Sequence, residues 1–305
     1  MRALVYDRYG GLEVLEEREI TLPAPKAGEI RVRVRAAALN PKDALVRKGR
    51  FSWLSGGRFP KQVGVDFAGE TEAGERVFGA LEELRYLRGT IAEQVVVRAN
   101  EWAPMPAGLS FEEAAALPLA ALTALQALRD LGRLRPGDRV AIHGASGGVG
   151  TAAIQIARAL GAHVTTTSSA HNLELCRSLG AHEALDRTRA PLDGGRFQIL
   201  FDVFGDLRFA GSRRALAVRG VFISTVPSLR ILAEAARTLA SDQRAKLVVV
   251  RSRRADLDTL RQMVDAGTLA PVIDRVEPFA RANEGLRYLE SKRARGKIIV
   301  RIDPR

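Results

Sequence analysis

Val140-Ala141-Ile142-His143-Gly144-Ala145-Ser146-Gly147-Gly148-Val149-Gly150, running on into Thr151-Ala152-Ala153-Ile154-Gln155-Ile156-Ala157, decides the fold. A short apolar run enters a glycine turn, and the turn opens a helix of small and apolar residues. Glycines allow the sharp turn and let backbone N–H groups come close to a pyrophosphate. The helix start adds a favourable dipole for an anion. A glycine pattern alone is weak, but this one sits between a strand and a helix, as dinucleotide binding demands. Ser146, Gly147, Gly148 and Val149 are therefore candidate pyrophosphate contacts.

The next strand selects the dinucleotide. In enzymes that prefer the unphosphorylated cofactor it ends in Asp or Glu, roughly 20 residues past the glycines. Here it ends Thr165-Thr166-Thr167-Ser168-Ser169. No carboxylate repels a 2′-phosphate, and Ser168 and Ser169 offer hydroxyls to it. NADPH is the expected cofactor.

Working outward, strands are predicted at Arg139–His143, His163–Thr167, Ile199–Val203 and Val221–Thr225, with helices at Val149–Leu160 and Leu173–Leu179. This alternation implies a parallel sheet with helices on both faces. Asp186–Gln198 has no room for a full helix. Lys246–Arg251 reads as an apolar strand near the sheet edge, where another chain can pair, so a homodimer is expected. Upstream the texture is different. Arg2–Tyr6, Ile30–Ala37 and Ile91–Val97 read as short strands between Gly and Pro turns. Ile30–Arg35 alternates strictly, which buries one face and leaves arginines on the other. Ser110 with Glu113 three residues on is a capping-box helix start. Lys297–Ile302 returns to strand.

Composition limits the alternatives. Hydrophobic residues make up 46% of 305, enough for a sizeable core. The single cysteine excludes a disulfide framework and multi-thiolate metal sites. No apolar run is long enough to span a bilayer, and no membrane partner is expected. The start is too short in apolar residues for a secretory signal, which makes a cytoplasmic location the expectation. The formal net charge is +12, but the arginines are scattered without an aromatic RNA-binding signature. They read as a solvated surface rather than a nucleic-acid face.

Several ordered motifs extend this reading over essentially the whole chain. They are Asn40-Pro41-Lys42-Asp43, Gly64-Val65-Asp66-Phe67-Ala68-Gly69, Gly74-Glu75-Arg76-Val77-Phe78-Gly79, Gly89-Thr90-Ile91-Ala92-Glu93, Leu122-Thr123-Ala124, Phe201-Asp202-Val203-Phe204-Gly205 and Arg295-Gly296-Lys297-Ile298-Ile299-Val300. Together with the turn they resemble the medium-chain dehydrogenase/reductase superfamily, in its zinc-independent quinone oxidoreductase branch. The resemblance implies an α/β chain of two domains. A GroES-like β domain is expected from 1–115 and 272–305, and a doubly wound Rossmann domain from 116–271.

The resemblance also implies a function: NADPH-dependent, metal-free hydride transfer to quinones or α,β-unsaturated carbonyls. Asn40 and Thr123 are its expected catalytic and nicotinamide contacts, although Asn40 could simply cap the turn before Pro41. Phe204 and Lys292 join the expected cofactor contacts, with Arg187 a further cation for the 2′-phosphate. No metal is expected, because Asn40 and Gly64-Val65-Asp66 stand at the family's zinc-ligand positions and the four histidines lie elsewhere. Those histidines are expected to pack or face solvent.

Some positions depart from the family. Leu45 and Phe51 stand where related reductases carry tyrosines, so solvent is the expected proton source. Asn172 replaces a phosphate-binding lysine. Lys42 is a candidate oxyanion partner against the plainer reading of a solvated surface lysine. Two other readings stay open: an enoyl-thioester reductase, and a non-catalytic NADPH- or RNA-binding crystallin-like protein.

Overall fold

The computed structural model describes residues 1–303 apart from 190, 191, 193 and 195. The chain forms two compact units. One comprises Met1–Leu119, Arg251–Ala266 and Pro271–Arg305; the other comprises Ala120–Val250 and Gly267–Ala270.

The second unit is built on one six-stranded sheet. Its strands in chain order are Arg139–His143, His163–Ser168, Glu183–Asp186, Phe197–Asp202, Leu216–Ser224 and Arg244–Leu247. In space they run third, second, first, fourth, fifth, sixth, and every neighbouring pair is parallel. This is the doubly wound order expected from the strand–helix alternation. The central strands are apolar throughout because both faces are covered: Val140, Ala141, Ile142, Ile199 and Phe201 are fully buried. The order reverses between Arg139–His143 and Phe197–Asp202, and the crevice at that switch point is where such sheets bind ligands. No helix occurs among the described residues between Asp186 and Phe197; residues 190, 191, 193 and 195 of the stretch expected to lack one lie outside those described.

The apolar run expected as a strand over Lys246–Arg251 is one only in part. The strand is Arg244–Leu247. Its partner Leu216–Ser224 ends opposite Leu247, so Val248 keeps one further bond to Ser224 O and Val249 stands in solvent. The strand does lie at the sheet edge.

The first unit carries a seven-stranded sheet organised by the long strand Glu29–Leu39. Strict alternation buries Val32 and Val34 and turns Arg33 outward, while Arg35 pairs with Glu70 on the neighbouring strand. From Ala36 onward the strand is buried on both faces. There the C-terminal strand Lys297–Arg301 zips against it antiparallel, with Ile298 opposite Leu39 and Val300 opposite Ala37. Each such fully buried aliphatic contributes about 1.5–3 kcal/mol. A three-stranded sheet of Glu16–Glu19, Arg2–Tyr6 and Lys61–Gln62 completes the unit.

The strand expected over Ile91–Val97 is instead Gln94–Arg98. Residues 91–93 are drawn to the smaller sheet, with Leu4 N–H on Ile91 O at 2.9 Å and Glu93 N–H on Arg2 O at 3.0 Å. The helix Phe111–Ala115 starts on the expected capping box, Ser110 Oγ accepting from Glu113 N–H.

Candidate functional site

The glycine turn follows the strand Arg139–His143 at the switch point of the parallel sheet. Its glycines have separate tasks. Gly144 has φ +80°, and a Cβ there would come within 2.9 Å of Phe204 Cβ and 3.0 Å of Phe204 N. A Cβ at Gly150 would come within 2.6 Å of the Ala145 backbone. These two positions let the turn fold flat and let the helix begin against the strand. Gly147 is different: a Cβ there would meet nothing nearer than Gly144 O at 3.9 Å. The space in front of Gly147 is open, and no side chain caps the helix Gly148–Ala159 that starts behind it. An uncapped helix start leaves first-turn amides without intrahelical partners, which is the feature that anion binding at such turns uses. The turn is tied to the next strand by Gly144 and Ala145 N–H groups on Thr167 O.

The other candidates of this unit divide between this turn and the sheet. Ser146, Gly147, Gly148 and Val149 are half-buried along the turn. Ser146 Oγ accepts from Asn172 Nδ2 at 2.9 Å, so the asparagine in place of the family's lysine holds the turn directly. Ser168 points inward: it is buried, donates to Ser169 O at 3.3 Å and lies 3.7 Å from Cys176 Sγ. Ser169 is the more accessible of the two serines. Arg187 reaches the same edge. Its N–H donates to Ser168 O at 2.9 Å, and its guanidinium lies 4.9 Å from the Phe204 ring centre. Asp186 beside it turns its carboxylate to Thr188. Thr123 is buried on the helix Pro118–Leu125.

His143 closes the sheet end under the turn. Its ring nitrogens sit 2.6 Å from Thr167 Oγ1 and 2.7 Å from Asp206 Oδ1. Asp202 accepts from Gly205 and Leu207 N–H groups. Among the described residues these three, His143, Asp202 and Asp206, form the one group whose ligand atoms lie close enough to share an ion, and each is already engaged in the loop 202–207.

Asn40 and Lys292 belong to the other unit. Lys292 is exposed, with φ +59°, just past the helix Ala282–Glu290. Asn40 is buried at the centre of a polar knot. Its Nδ2 donates to Asp66 Oδ2 at 2.9 Å and to Ala38 O at 3.2 Å. Lys297 Nζ donates to Asn40 Oδ1 at 2.6 Å and to Asp66 Oδ2 at 2.9 Å. Asp66 Oδ1 accepts from Leu119 N–H at 2.6 Å. Asp66 and Lys297 were not among the expected site residues. The available signal was one charge inside each of two apolar runs, Gly64-Val65-Asp66-Phe67-Ala68 and Gly296-Lys297-Ile298-Ile299, since buried charges are seldom left unpaired.

Residues 26–107 match the family description alcohol dehydrogenase GroES-like domain, and residues 179–300 match zinc-binding dehydrogenase. The chain is 31% identical to the chloroplast envelope quinone oxidoreductase homolog of Arabidopsis thaliana, over 98% of both chains. It is likewise 31% identical to the NADPH-dependent alkenal/one oxidoreductase of the same plant, covering 98% of this chain and 79% of that one. The quinone oxidoreductase structure from Coxiella burnetii superposes with a TM-score of 0.90 at 28% identity over 99% of each chain.

The chain belongs to the medium-chain dehydrogenase/reductase superfamily. It falls in the quinone oxidoreductase branch, and is an oxidoreductase that works with a nicotinamide cofactor. No helix among its described residues is long and apolar enough to cross a membrane.

Zinc members of this superfamily raise the question of a metal. At the matching positions this chain offers an amide, Asn40, and one carboxylate, Asp66, already held by the Lys297 ammonium. Zinc takes thiolate, imidazole and carboxylate ligands. A buried ammonium among the donors repels a cation, so this set does not fit zinc.

Lys42 corrects the expectation of a solvated surface lysine. Its Nζ donates to Glu83 O at 3.0 Å and lies 5.3 Å from the Tyr86 ring centre, and burial lowers its pKa. Asp43 braces the segment, accepting from Asn40 N–H at 2.8 Å and Tyr86 Oη–H at 3.0 Å. Burial pushes its carboxyl up to about 6 despite those bonds.

In the unfolded chain Asp43 ionises near 3.8. Between those two values the folded state holds the proton that the unfolded state has lost, so stability falls as pH rises from about 4 to about 6, by on the order of 3 kcal/mol. Asparagine can keep both contacts, with Oδ1 accepting from Asn40 N–H and Nδ2 donating to Tyr86. Denaturant midpoints across this range are expected to lose that component of the decline in Asp43→Asn. An unchanged slope in the variant would rule out Asp43 as its source.

Proposed function

We propose that this protein reduces quinones or α,β-unsaturated carbonyls with NADPH and without a metal. The observation that carries the reading is the uncapped glycine turn beside a strand end that offers Ser169 and Arg187 and, among the described residues, no free carboxylate. The names of the plant relatives, quinone and alkenal/one oxidoreductase, support the same substrate class.

Bound NADPH supplies the hydride. The chain's residues then have separate tasks. First-turn amides at Gly148 and Val149, with Ser146, hold the pyrophosphate. Phe204 walls the turn opposite Gly144. Ser169 and Arg187 bind the 2′-phosphate in place of the lysine absent at Asn172, and Lys292 is a further basic contact for it. Ser168 supports Ser169 from beneath. Thr123 is the proposed nicotinamide contact of its own unit and Asn40 that of the other, offering the second lone pair of an Oδ1 whose orientation Lys297 fixes. A conjugated acceptor needs no Lewis acid, because charge arriving with the hydride spreads onto oxygen. With Leu45 and Phe51 where tyrosines stand in related reductases, solvent completes the protonation.

Loss of absorbance at the reduced-nicotinamide band, followed with a panel of quinones and alkenals, tests this. Turnover is expected with NADPH in preference to NADH. Arg187→Glu should cut the NADPH preference about ten- to hundred-fold, the size of a lost charge-assisted hydrogen bond, and leave NADH turnover little changed. No turnover with any acceptor, or equal loss with both cofactors, would sink the assignment.

A homodimer joined through the Rossmann sheet is also proposed. The edge strand Arg244–Leu247 has one neighbouring strand among the described residues, and on its outer side Ala245 N–H is taken by Thr238 Oγ1 at 2.9 Å. The helix Leu229–Arg237, which packs against that strand, exposes Leu229 and Leu232. Sedimentation should show a dimer that Leu229→Arg with Leu232→Arg converts to monomer. A monomeric parent protein at micromolar concentration would end the proposal.

A further inference from the structure

The N-terminal unit ends in an apolar tip with a cationic rim. The tip consists of the one-turn helix Ser52–Ser55 and the loop 82–86. Trp53 is 81% exposed, and Leu54 and Leu84 are also exposed. Exposed tryptophan is costly in water, and single surface apolar residues are ordinary; three together on one braced tip are not.

The two segments are held side by side by a buried lysine. Lys61 Nζ donates to Ser55 O at 2.8 Å and to Arg85 O at 2.7 Å. It lies 5.9 Å and 5.3 Å from the ring centres of Tyr9 and Phe59. The Tyr9 hydroxyl contacts Ser55 Oγ and Gly56 O from the other side. Trp53 and Leu54 next to Ser55, and Leu84 next to Arg85, therefore lie on two neighbouring segments of the unit.

The rim is positive. Arg50, Arg58 and Arg85 are exposed, and among the described residues none has a carboxylate within ion-pair distance. The nearby acids are engaged elsewhere: Glu82 with Arg251, Glu83 with Arg88, Asp7 with Arg18 and Glu290 with Arg47 and Lys48.

We propose that this tip docks the protein on an anionic lipid surface, Trp53, Leu54 and Leu84 entering the interface while Arg50, Arg58 and Arg85 meet headgroup phosphates. Indole rings settle at the membrane–water interface, with one face apolar and an N–H for the wet side. Arginines beside such a ring are attracted to anionic headgroups at about 1 kcal/mol each, which is about five-fold in affinity. A second copy of the chain is a poorer occupant, because it would bring two cationic rims together. Surface docking needs no spanning segment, so the absence of a long apolar helix among the described residues bears on insertion and not on this contact. The proposal is independent of the cofactor and substrate reading.

Flotation of the full-length protein with phosphatidylcholine vesicles, and with vesicles that also carry phosphatidylglycerol, tests it. Binding is expected only to the anionic vesicles, with a blue shift of tryptophan emission. Each of Arg50→Gln, Arg58→Gln and Arg85→Gln should weaken it about five-fold. Trp53→Ala should abolish the emission shift and most of the binding, while its melting temperature and NADPH affinity stay at the parent values. Three outcomes would overturn the proposal: no binding to anionic vesicles, equal binding to neutral ones, or binding that Trp53→Ala leaves intact. The last would mean general attraction to a basic chain. Self-association lost in Trp53→Ala without vesicle binding would instead assign the tip to a second copy.

Discussion

The close approach between the strand Arg139–His143 and the helix Gly148–Ala159 is the constraint on which the cofactor unit depends. A Cβ at Gly150 would lie 2.6 Å from the Ala145 backbone, inside any tolerable contact. Only with that position bare does the helix begin at the sheet end, at the switch point of the sheet. Gly144 adds a backbone conformation that other residues adopt only under strain. Gly147 owes nothing to packing, and its open surroundings are the part of the turn left for a ligand. Three glycines in one motif thus answer to three different physical demands.

The N-terminal unit turns on a different interaction. Asp66 is fully buried, and its carboxylate is matched by the Lys297 ammonium, Asn40 Nδ2 and Leu119 N–H. A buried ion pair gains little net stability, but breaking it by removing one partner costs about 3–5 kcal/mol. Its consequence here is geometric. Lys297 begins the C-terminal strand and Asp66 begins a strand of the same sheet, and both converge on the residue before the helix Pro41–Arg47. With an ammonium among the donors, the place that a zinc enzyme gives to metal ligands becomes a neutralised hydrogen-bonded knot.

Much of this was legible in the sequence. Strand–turn–helix order, the alternation in Ile30–Arg35 and the Ser110–Glu113 capping box are local patterns, and local patterns survive folding. Boundaries that depend on a distant partner were not legible. Ile91–Glu93 leaves one sheet for another because Arg2 and Leu4 claim its backbone, and the last strand stops at Leu247 because its neighbour ends at Ser224. The Asp66–Lys297 pair is separated by most of the chain and appears in sequence only as two isolated charges in apolar runs. Lys42 looked like a surface lysine because nothing adjacent to it in sequence shows that Glu83 and Tyr86 fold over it. The inward turn of Ser168, unlike Ser169, follows from the strand's pleat and from Cys176, three residues into the next helix.

The proposed function places the cofactor pyrophosphate against Gly147. Gly147→Asp separates that claim from folding. The position has an extended φ of −82° and ψ of 174°, and a Cβ there meets open space. Aspartate is moreover a favoured N-cap for the helix behind it. The melting temperature of the variant should equal or exceed that of the parent protein. NADPH affinity measured by titration calorimetry should fall by at least about a hundred-fold, because a carboxylate set against a pyrophosphate costs several kcal/mol. A well-folded variant that binds NADPH as tightly as the parent would contradict the placement of the cofactor and the function built on it.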